Sequence, residues 1–345
     1  MPVVSRRAWL SCDGRQPIHE RGDWRAFARS RAGGISIRSD LWWSARSSRL
    51  GQSSLMPRIQ IVTDSGARYS NPRLMRHFPI TILPNIITMA GKQFREGIDM
   101  DPEAAFAQMA QMAQPPTITP PSERDYTEVF LRLAPVCDAI ISVHPSRKLS
   151  QSWQNGRMAA QAVSSDCEIA IIDSQTMCAG QGMLIRVAAQ AAQAAADIET
   201  AIQQVRQAVD RIYSVYCVRD TRFLRANGIM STSHAILSSQ LGIMPFLSLE
   251  GGEILIIEKV RDSSQMIERL VEFMSEFNAL EDALVLQAQE QITEQTRLLH
   301  EVLALDFPGQ HFPFTMYSTS MACYLGFAAS GMAVLEKADE DDFEF

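Results

Sequence analysis

An apolar run that ends in a serine-rich turn constrains the fold more than any other stretch of this sequence. Asp138 to Val143 reads Asp-Ala-Ile-Ile-Ser-Val, which is typical of a buried strand. The turn that follows carries Ser146 and Ser150, and the Gln- and Ala-rich stretch from Ser152 to Val163 indicates a helix. Such a turn favours an anionic ligand, because free backbone N–H groups and the positive end of the helix dipole meet there. The alternative is an ordinary helix cap with additional serines.

Short apolar runs alternate with helical stretches through the first part of the chain. The runs that predict strands are Arg58 to Thr63, Ile80 to Pro84, Asp138 to Val143 and Glu168 to Ile172. Asn85 to Phe94 is predicted to form a hairpin, and Pro115 to Ser122 a rigid loop. Strands that alternate with helices imply a parallel sheet covered on both faces. The fold class is therefore α/β, with an N-terminal parallel-sheet domain over residues 57–213.

The second part of the chain has a different pattern. Met244 to Leu249 and Glu253 to Val260 are joined through Glu250-Gly251-Gly252, which predicts a hairpin. Phe314 to Tyr317 and Cys323 to Ala329 are predicted to complete the sheet. A mixed sheet that contains a hairpin and carries helices indicates a C-terminal α+β domain over residues 214–336, followed by an acidic tail at residues 337–345.

The first 56 residues differ in composition from the rest. Residues 1–55 hold ten Arg, no Lys and four acidic residues. They show no lasting helical or strand period, and no apolar region of a signal peptide follows the early arginines. Met56 directly precedes the first predicted strand. We expect residues 1–56 to be a disordered extension or the result of a mis-assigned start, with Met56 as the true start.

Composition excludes several classes of function. The chain of 345 residues is 46% hydrophobic and 21% charged, as in an ordinary soluble globular protein, and its net charge of −7 argues against nucleic acid as a partner. No apolar run approaches the roughly 20 residues that span a membrane. The six cysteines contain no Cys-x-x-Cys pair, and no cluster suggests a metal. We therefore expect a cytoplasmic protein with free thiols, without a metal or a membrane-spanning segment.

An ordered series of short motifs identifies a family. Together they resemble the DegV family, from about Arg58 to about Leu335. The motifs are Val62-Thr-Asp-Ser65, Gly91 to Pro102, Pro116 to Ser122, Ile171-Ile-Asp-Ser-Gln-Thr176 with Gly180 and Gly182, and Gly252-Glu-Ile with Glu258-Lys-Val-Arg261.

The resemblance implies a two-domain DegV-like fold and a function. Members of the family bind a fatty acid, with its carboxylate at the domain interface and its acyl chain in a closed apolar tunnel. They present that carboxylate to a separate ATP-using kinase, which makes an acyl phosphate for bacterial phospholipid metabolism. On this basis we expect a lipid-binding protein that has no catalytic activity or cofactor of its own and is an accessory to a fatty acid kinase.

The resemblance also assigns the lipid head group to particular residues. Ser150, in Lys148-Leu-Ser150, matches the family's head-group serine, and Ser152 keeps the second hydroxyl. Gln151 replaces a glycine whose backbone could approach a ligand closely.

Three other head-group positions have changed. Ile118 stands where the family has a contacting threonine, so that Thr117 or Thr119 would have to substitute for it. Ile229 replaces an arginine that would face the carboxylate, and Thr319 stands near the position of a histidine. A buried carboxylate needs hydrogen bonds and charge compensation, and these changes remove most of the compensating charge.

Three interpretations of these changes remain open. The ligand is a neutral or larger lipid; or it is a fatty acid held differently, with help from Arg147, Lys148 or Arg225; or the chain is a degenerate paralogue. In the first case the protein would bind lipid without coupling to a kinase.

Two further hypotheses concern polar residues near the turns. Asp64 with Ser65, and Asp173 with Ser174, either support the head-group site or cap the helices that follow them. As a rival class, Ser150 would be the nucleophile of a serine hydrolase with His144 as its base. No Gly-x-Ser-x-Gly, Gly-x-Gly-x-x-Gly or P-loop pattern supports an enzyme.

Overall fold

The computed structural model describes residues 57–163 and 167–338. The predicted extension at residues 1–56, and the predicted acidic tail beyond residue 338, lie outside the described residues. Contacts group the described residues into one compact unit. The domain boundary between residues 213 and 214 stays a prediction.

The described residues form thirteen strands and eleven α-helices. The strands are β1 (Ile59–Asp64), β2 (Ile80–Leu83), β3 (Ile86–Met89), β4 (Lys92–Arg95), β5 (Thr117–Thr119), β6 (Ala139–His144), β7 (Glu168–Asp173), β8 (Ile212–Val218), β9 (Met244–Glu250), β10 (Glu253–Val260), β11 (Leu280–Gln287), β12 (Phe314–Met316) and β13 (Ala329–Glu336). The helices are α1 (Pro72–Met75), α2 (Pro102–Ala110), α3 (Glu123–Leu133), α4 (Ser152–Ala162), α5 (Ala179–Ala194), α6 (Ile198–Val209), α7 (Arg222–Ala226), α8 (Thr232–Gln240), α9 (Ser263–Ser275), α10 (Glu294–Asp306) and α11 (Thr319–Leu325).

The N-terminal sheet is parallel, as the sequence predicts. Its order is β2-β1-β6-β7, and each neighbouring pair runs in the same direction. All six residues of β6 are buried, because both faces of the sheet are covered. Ile140 packs on one face with Tyr126 of α3 and Ala159 of α4. Ile141 packs on the other face with residues of α5.

A small three-stranded sheet stands beside this layer. β3 and β4 form the predicted hairpin, and the turn at Ala90 and Gly91 has positive φ at both residues. Thr117–Thr119 was predicted as part of a loop but pairs with β3 as strand β5, with Ile118 opposite Ile87. The local sequence hides this strand, because prolines flank it and its hydrogen-bond partners lie about thirty residues earlier.

The C-terminal sheet is mixed, which confirms the predicted α+β architecture. Its order is β10-β9-β8-β13-β11-β12, antiparallel except for the parallel pair β11 and β12. The predicted hairpin turns at Gly251 and Gly252, which both have positive φ. The prediction that Cys323–Ala329 is a strand is wrong except at Ala329, because residues 323–325 belong to α11 and β13 begins only at Ala329. The Ser318 side chain accepts a bond from Met321 N and starts this helix, and Gly326 at φ 82° ends it.

Helix α5 packs against both sheets. It contacts β1 and β6 of the first sheet and β8, β11 and β13 of the second, and eleven of its sixteen residues are buried. Gly182 allows this packing, because a Cβ there would overlap the backbone carbonyl of Arg68. A single cluster of buried apolar residues therefore runs continuously from one sheet to the other.

Candidate functional site

A cavity of about 350 Å³ lies at the carboxyl ends of β1 and β6, beside the serine-rich turn. Both parts of the chain contribute to its wall. The lining residues are Asp64, Gly66, Asn85, Ile118, Thr119, Pro120, Pro145, Leu149, Ser150, Gln151, Met177, Gln181, Ser320 and Tyr324. The position is the one that parallel sheets use for ligands, because strand ends and helix starts meet there.

Ser150 is held by the turn that precedes α4. Its backbone N–H donates to Ser146 O at 2.9 Å, and its Oγ accepts from Ser152 N at 3.2 Å. The hydroxyl of Tyr324, from α11, donates to Leu149 O. Because Ser150 Oγ already accepts from the helix start, its own proton is directed to another partner. Ser150 is thus positioned as a hydrogen-bond donor at the cavity.

The hairpin β9–β10 fixes the same turn from the other side. Ser146 Oγ donates to Gly252 O at 2.7 Å, and Gly252 has a φ of 84°. A Cβ at residue 252 would overlap Ser146 Oγ, so the contact requires glycine. Lys148 Nζ lies 3.1 Å from Glu253 Oε1. The serine-rich turn, which follows β6 of the first sheet, is therefore also bonded to the hairpin of the second sheet.

Asp64 is the buried carboxyl group at the cavity wall, with 1% of its surface exposed. Its oxygens accept from Gly66 N at 2.9 Å, from Ser152 Oγ at 3.2 Å and from Gln181 Nε2 at 3.4 Å. Burial raises the pKa of Asp64 to about 6; the charge of Glu96 adds to this effect, and the hydrogen bonds oppose it.

Glu96 is a second buried carboxyl, and it belongs to the first half of the chain but binds the second. It accepts from Ser320 N at 2.8 Å and from Ser320 Oγ at 2.7 Å, both at the start of α11. Ser65 Oγ donates to it at 2.8 Å and Asn85 Nδ2 at 3.1 Å. Four donors therefore compensate its burial.

Ser152 does not line the cavity, and its hydroxyl connects three polar groups. It is fully buried, and its Oγ is within 2.6 Å of Tyr126 Oη, 3.1 Å of His144 Nδ1 and 3.2 Å of Asp64 Oδ2. Burial lowers the pKa of His144 to about 3, so the imidazole is neutral at physiological pH. Its Nε2 lies 2.8 Å from Ser142 Oγ. Ser152 thus supports Asp64 from the side away from the cavity.

The head-group residues predicted from the sequence converge only in part. Ser150, Ile118 and Thr119 line the cavity, whereas Thr117, two residues before Thr119 on the same face of β5, does not. Thr319 is buried next to the lining residue Ser320. Ile229 packs, half-buried, against the apolar core and does not line the cavity.

The predicted supporting residues have separate roles. Ser65 bonds to Glu96 beside the cavity. Asp173 accepts from Gln175 N at 3.1 Å and from Arg147 N at 3.2 Å, and it lies away from the cavity wall. Ser174 Oγ donates to Thr176 O at 3.1 Å. Asp173 and Ser174 therefore stabilise the turn after β7.

Sequence reasoning missed five polar residues of the site, namely Asn85, Glu96, Gln181, Ser320 and Tyr324. Gln181 could have been found from the sequence, since it is the one long polar side chain among the small and apolar residues 179–185 at the start of the helix. No feature of the sequence indicated Glu96, because nothing in a hairpin sequence shows that a charged residue will be buried.

Within the described ranges, no residue that lines the cavity carries a positive charge. The cations predicted as possible helpers are engaged or distant: Arg147 pairs with Asp173 at 3.3 Å, Lys148 pairs with Glu253, and Arg225 is exposed. Among the same residues, no group of three or more His, Cys, Asp or Glu could hold a metal ion. None of the described helices has the length and apolar character needed to span a membrane.

Comparison with known proteins identifies the class. A profile of the DegV family, described as "Uncharacterised protein, DegV family", matches residues 58–337. The chain therefore belongs to the DegV family. A DegV domain-containing protein of Caldanaerobacter subterraneus is 29% identical over 219 residues, which cover 64% of this chain and 77% of that protein.

Solved structures show the same fold. A fatty-acid-binding DegV family protein from Thermus thermophilus superposes with a TM-score of 0.71 at 22% identity, over 81% of this chain and 100% of that one. The fatty acid kinase B3 protein of Streptococcus pneumoniae, loaded with linoleic acid, superposes with a TM-score of 0.68 at 16% identity, over 81% of this chain and 99% of that one.

Proposed function

We propose that this protein binds a fatty acid or a related lipid, with the lipid head group in the cavity at Ser150. The observation that carries the proposal is the position of Ser150, which offers a hydroxyl proton at the junction of strand end and helix start in a two-sheet DegV fold. The neighbouring structures described as fatty-acid-binding support the same ligand class.

The acyl chain would lie between the sheets. Ile118, Leu149 and Met177 form the apolar part of the cavity wall, and the continuous apolar core begins behind them. Each CH₂ group transferred there contributes about 0.8 kcal/mol. Methionines of this core, among them Met183 and Met321, have flexible side chains that can adapt to a chain.

We further propose that the bound lipid is presented to a separate, ATP-using kinase in the bacterial cytoplasm. The protein would then serve phospholipid metabolism as an accessory subunit and need no cofactor. The family resemblance and the likeness to the fatty acid kinase B3 protein of Streptococcus pneumoniae support this second step.

The geometry favours binding over hydrolysis. His144, the candidate base, is buried and bonded to Ser152 and Ser142. With a pKa of about 3, its imidazole is a weak base at neutral pH and is poorly matched to activating a serine. We therefore assign Ser150 to ligand binding, without a catalytic role.

Native mass spectrometry of the full chain, followed by organic extraction, tests the ligand class. We expect a co-purified lipid in the wild type and a several-fold weaker affinity for added fatty acid in Ser150→Ala. Ser239→Ala, an exposed serine on α8, is the matched control. A protein that contains no lipid after purification and binds neither added fatty acids nor long-chain amides would contradict the proposal.

The proposed presentation to a kinase is tested by incubating the lipid-loaded protein with a fatty acid kinase and ATP. The absence of acyl phosphate would contradict this second step.

A further inference from the structure

Gln181 is a fully buried residue whose side chain lines the cavity. Its Nε2 donates to Thr63 Oγ1 at 3.1 Å and to Asp64 Oδ1 at 3.4 Å. Its Oε1 has no hydrogen-bond partner among the described residues. A buried amide oxygen without a donor is unfavourable, so this atom points to a ligand that supplies one.

The orientation of this amide follows from Asp64. If the amide were reversed, Oε1 would face a carboxylate oxygen at the distance that Nε2 now occupies, and two acceptors would repel each other. Only a proton on Asp64 would make the reversed orientation favourable. While Asp64 is ionised, Gln181, a residue of the cavity wall, therefore keeps Oε1 as an acceptor without a partner among the described residues.

Most other donors at the cavity are already engaged. Ser320 Oγ donates to Glu96, Ser152 Oγ to Asp64, and the Tyr324 hydroxyl to Leu149 O. Ser150 Oγ remains as a donor in the wall of the same cavity as Gln181, together with the hydroxyl of Thr119 and the amide of Gln151. A site whose donors are all uncharged, and which lies beside two buried carboxyl groups, compensates a carboxylate poorly, because a carboxylate only accepts hydrogen bonds and brings a third negative charge.

We propose that Gln181 is a specificity-determining residue that selects a neutral, hydrogen-bond-donating lipid head group. Such a group donates to Gln181 Oε1 and accepts from Ser150 Oγ, as a long-chain primary amide, a long-chain alcohol or a protonated fatty acid can do. The proposal rests on the proposed lipid-binding function and deepens it by naming the class of head group.

Proton linkage follows for a fatty acid. At a pH where the free fatty acid is ionised, its binding is accompanied by the uptake of one proton. The proton is taken up either by the carboxylate of the ligand or by Asp64, and in the second case the Gln181 amide reverses its orientation. The titratable groups that face Asp64 are Glu96, Tyr69, Tyr126 and, through Ser152, His144. His144 stays neutral and both tyrosines keep their protons between pH 6 and 8, because burial lowers the pKa of His144 to about 3 and raises the pKa of each tyrosine.

Isothermal titration of the full chain with dodecanamide and with dodecanoate, at pH 6 and pH 8, tests the proposal. A free carboxyl with a pKa near 4.3 is ionised at both values. We expect dodecanoate to bind roughly tenfold more weakly for each pH unit of increase, as uptake of one proton requires. Dodecanamide should bind at the two pH values with affinities within about twofold of each other, because about half of Asp64 is still ionised at pH 6, and at least about tenfold tighter than dodecanoate at pH 8.

Gln181→Met keeps the length of the side chain and removes the amide. We expect it to weaken dodecanamide binding about five- to tenfold, as loss of one buried hydrogen bond implies, and to reduce the preference over dodecanoate. Gln190→Met, an exposed glutamine on the same helix, should bind as the wild type does.

The outcomes separate the two proposals. Wild-type protein that binds dodecanoate at pH 8 as tightly as dodecanamide, without pH dependence, overturns the role of Gln181 and leaves lipid binding intact. Protein that binds neither ligand overturns the proposed function itself. The wild-type pH series decides the question even if Gln181→Met fails to fold.

Discussion

Asn85 Nδ2 lies 3.1 Å from Ser320 Oγ, although the two residues are 235 positions apart in the chain. The same amide nitrogen lies 3.1 Å from Glu96 Oε2, and all three residues are buried. Asn85 and Ser320 also line the cavity. The polar contacts that join the two halves of the chain are therefore part of the wall of the proposed ligand site, so assembly of the halves and formation of the site depend on each other.

Removal of Glu96 should destabilise the protein strongly. Glu96→Ala removes the acceptor of the Ser65 and Ser320 hydroxyls and of Ser320 N, and we expect the free energy of unfolding to fall by about 3 kcal/mol. Denaturant unfolding measures the loss. Glu301→Ala, an exposed glutamate on α10, is the control, and equal stability of the two variants would contradict the assigned role of Glu96.

Removal of the hydroxyl group should have different effects on stability at Tyr324 and at Tyr69. Tyr324→Phe loses the bond to Leu149 O, and we expect about 1 kcal/mol less stability together with weaker lipid binding. Tyr69 Oη is buried and has no hydrogen-bond partner within residues 57–163 and 167–338, so Tyr69→Phe should be neutral or stabilising. Thermal unfolding of the pair checks this, and a greater loss for Tyr69→Phe would contradict it.

The raised pKa of Asp64 should reduce stability as pH increases. The folded protein holds this proton up to a pKa of about 6, whereas the unfolded chain loses it near 3.8. Between these values the folded state binds more protons, so the free energy of unfolding decreases with pH, by up to about 3 kcal/mol in total. Asp64→Asn should remove this decrease in denaturant unfolding between pH 4 and 7. The exposed control Asp306→Asn should retain it, and identical slopes would refute the effect.

The lowered pKa of His144 should make the protein more stable as pH increases, which is opposite to the effect of Asp64, and over a wider pH range. The folded protein keeps the imidazole neutral down to a pKa of about 3, whereas the unfolded chain takes up a proton near 6.5. Stability from this residue is thus present above pH 6.5 and is lost as pH falls through the window, at about 1.4 kcal/mol per pH unit. His144→Gln should flatten the acid limb of the stability curve. The exposed control His77→Gln should not, and an unchanged acid limb in His144→Gln would refute this account.

Local patterns in the sequence determined the fold class and the place of the site. The apolar run of β6 and the alternation around it predicted a parallel sheet, and Gly251-Gly252 predicted the hairpin of the second sheet. The ordered motifs identified the DegV family, which the match over residues 58–337 confirms. These features succeed because periodicity and turn chemistry are encoded by residues close together in the chain.

Tertiary structure alone decided what surrounds the proposed head-group site. Cys323 lies in a helix because Ser318 caps it and Glu96, more than two hundred residues earlier, binds the start of α11. Thr119, and not Thr117, lines the cavity because only the last residues of β5, next to Pro120, form part of its wall. The acceptor on Gln181 and the burial of Asp64 depend on α5 packing between both sheets. Each of these outcomes is set by contacts between residues far apart in the chain, whose packing and desolvation no local pattern records.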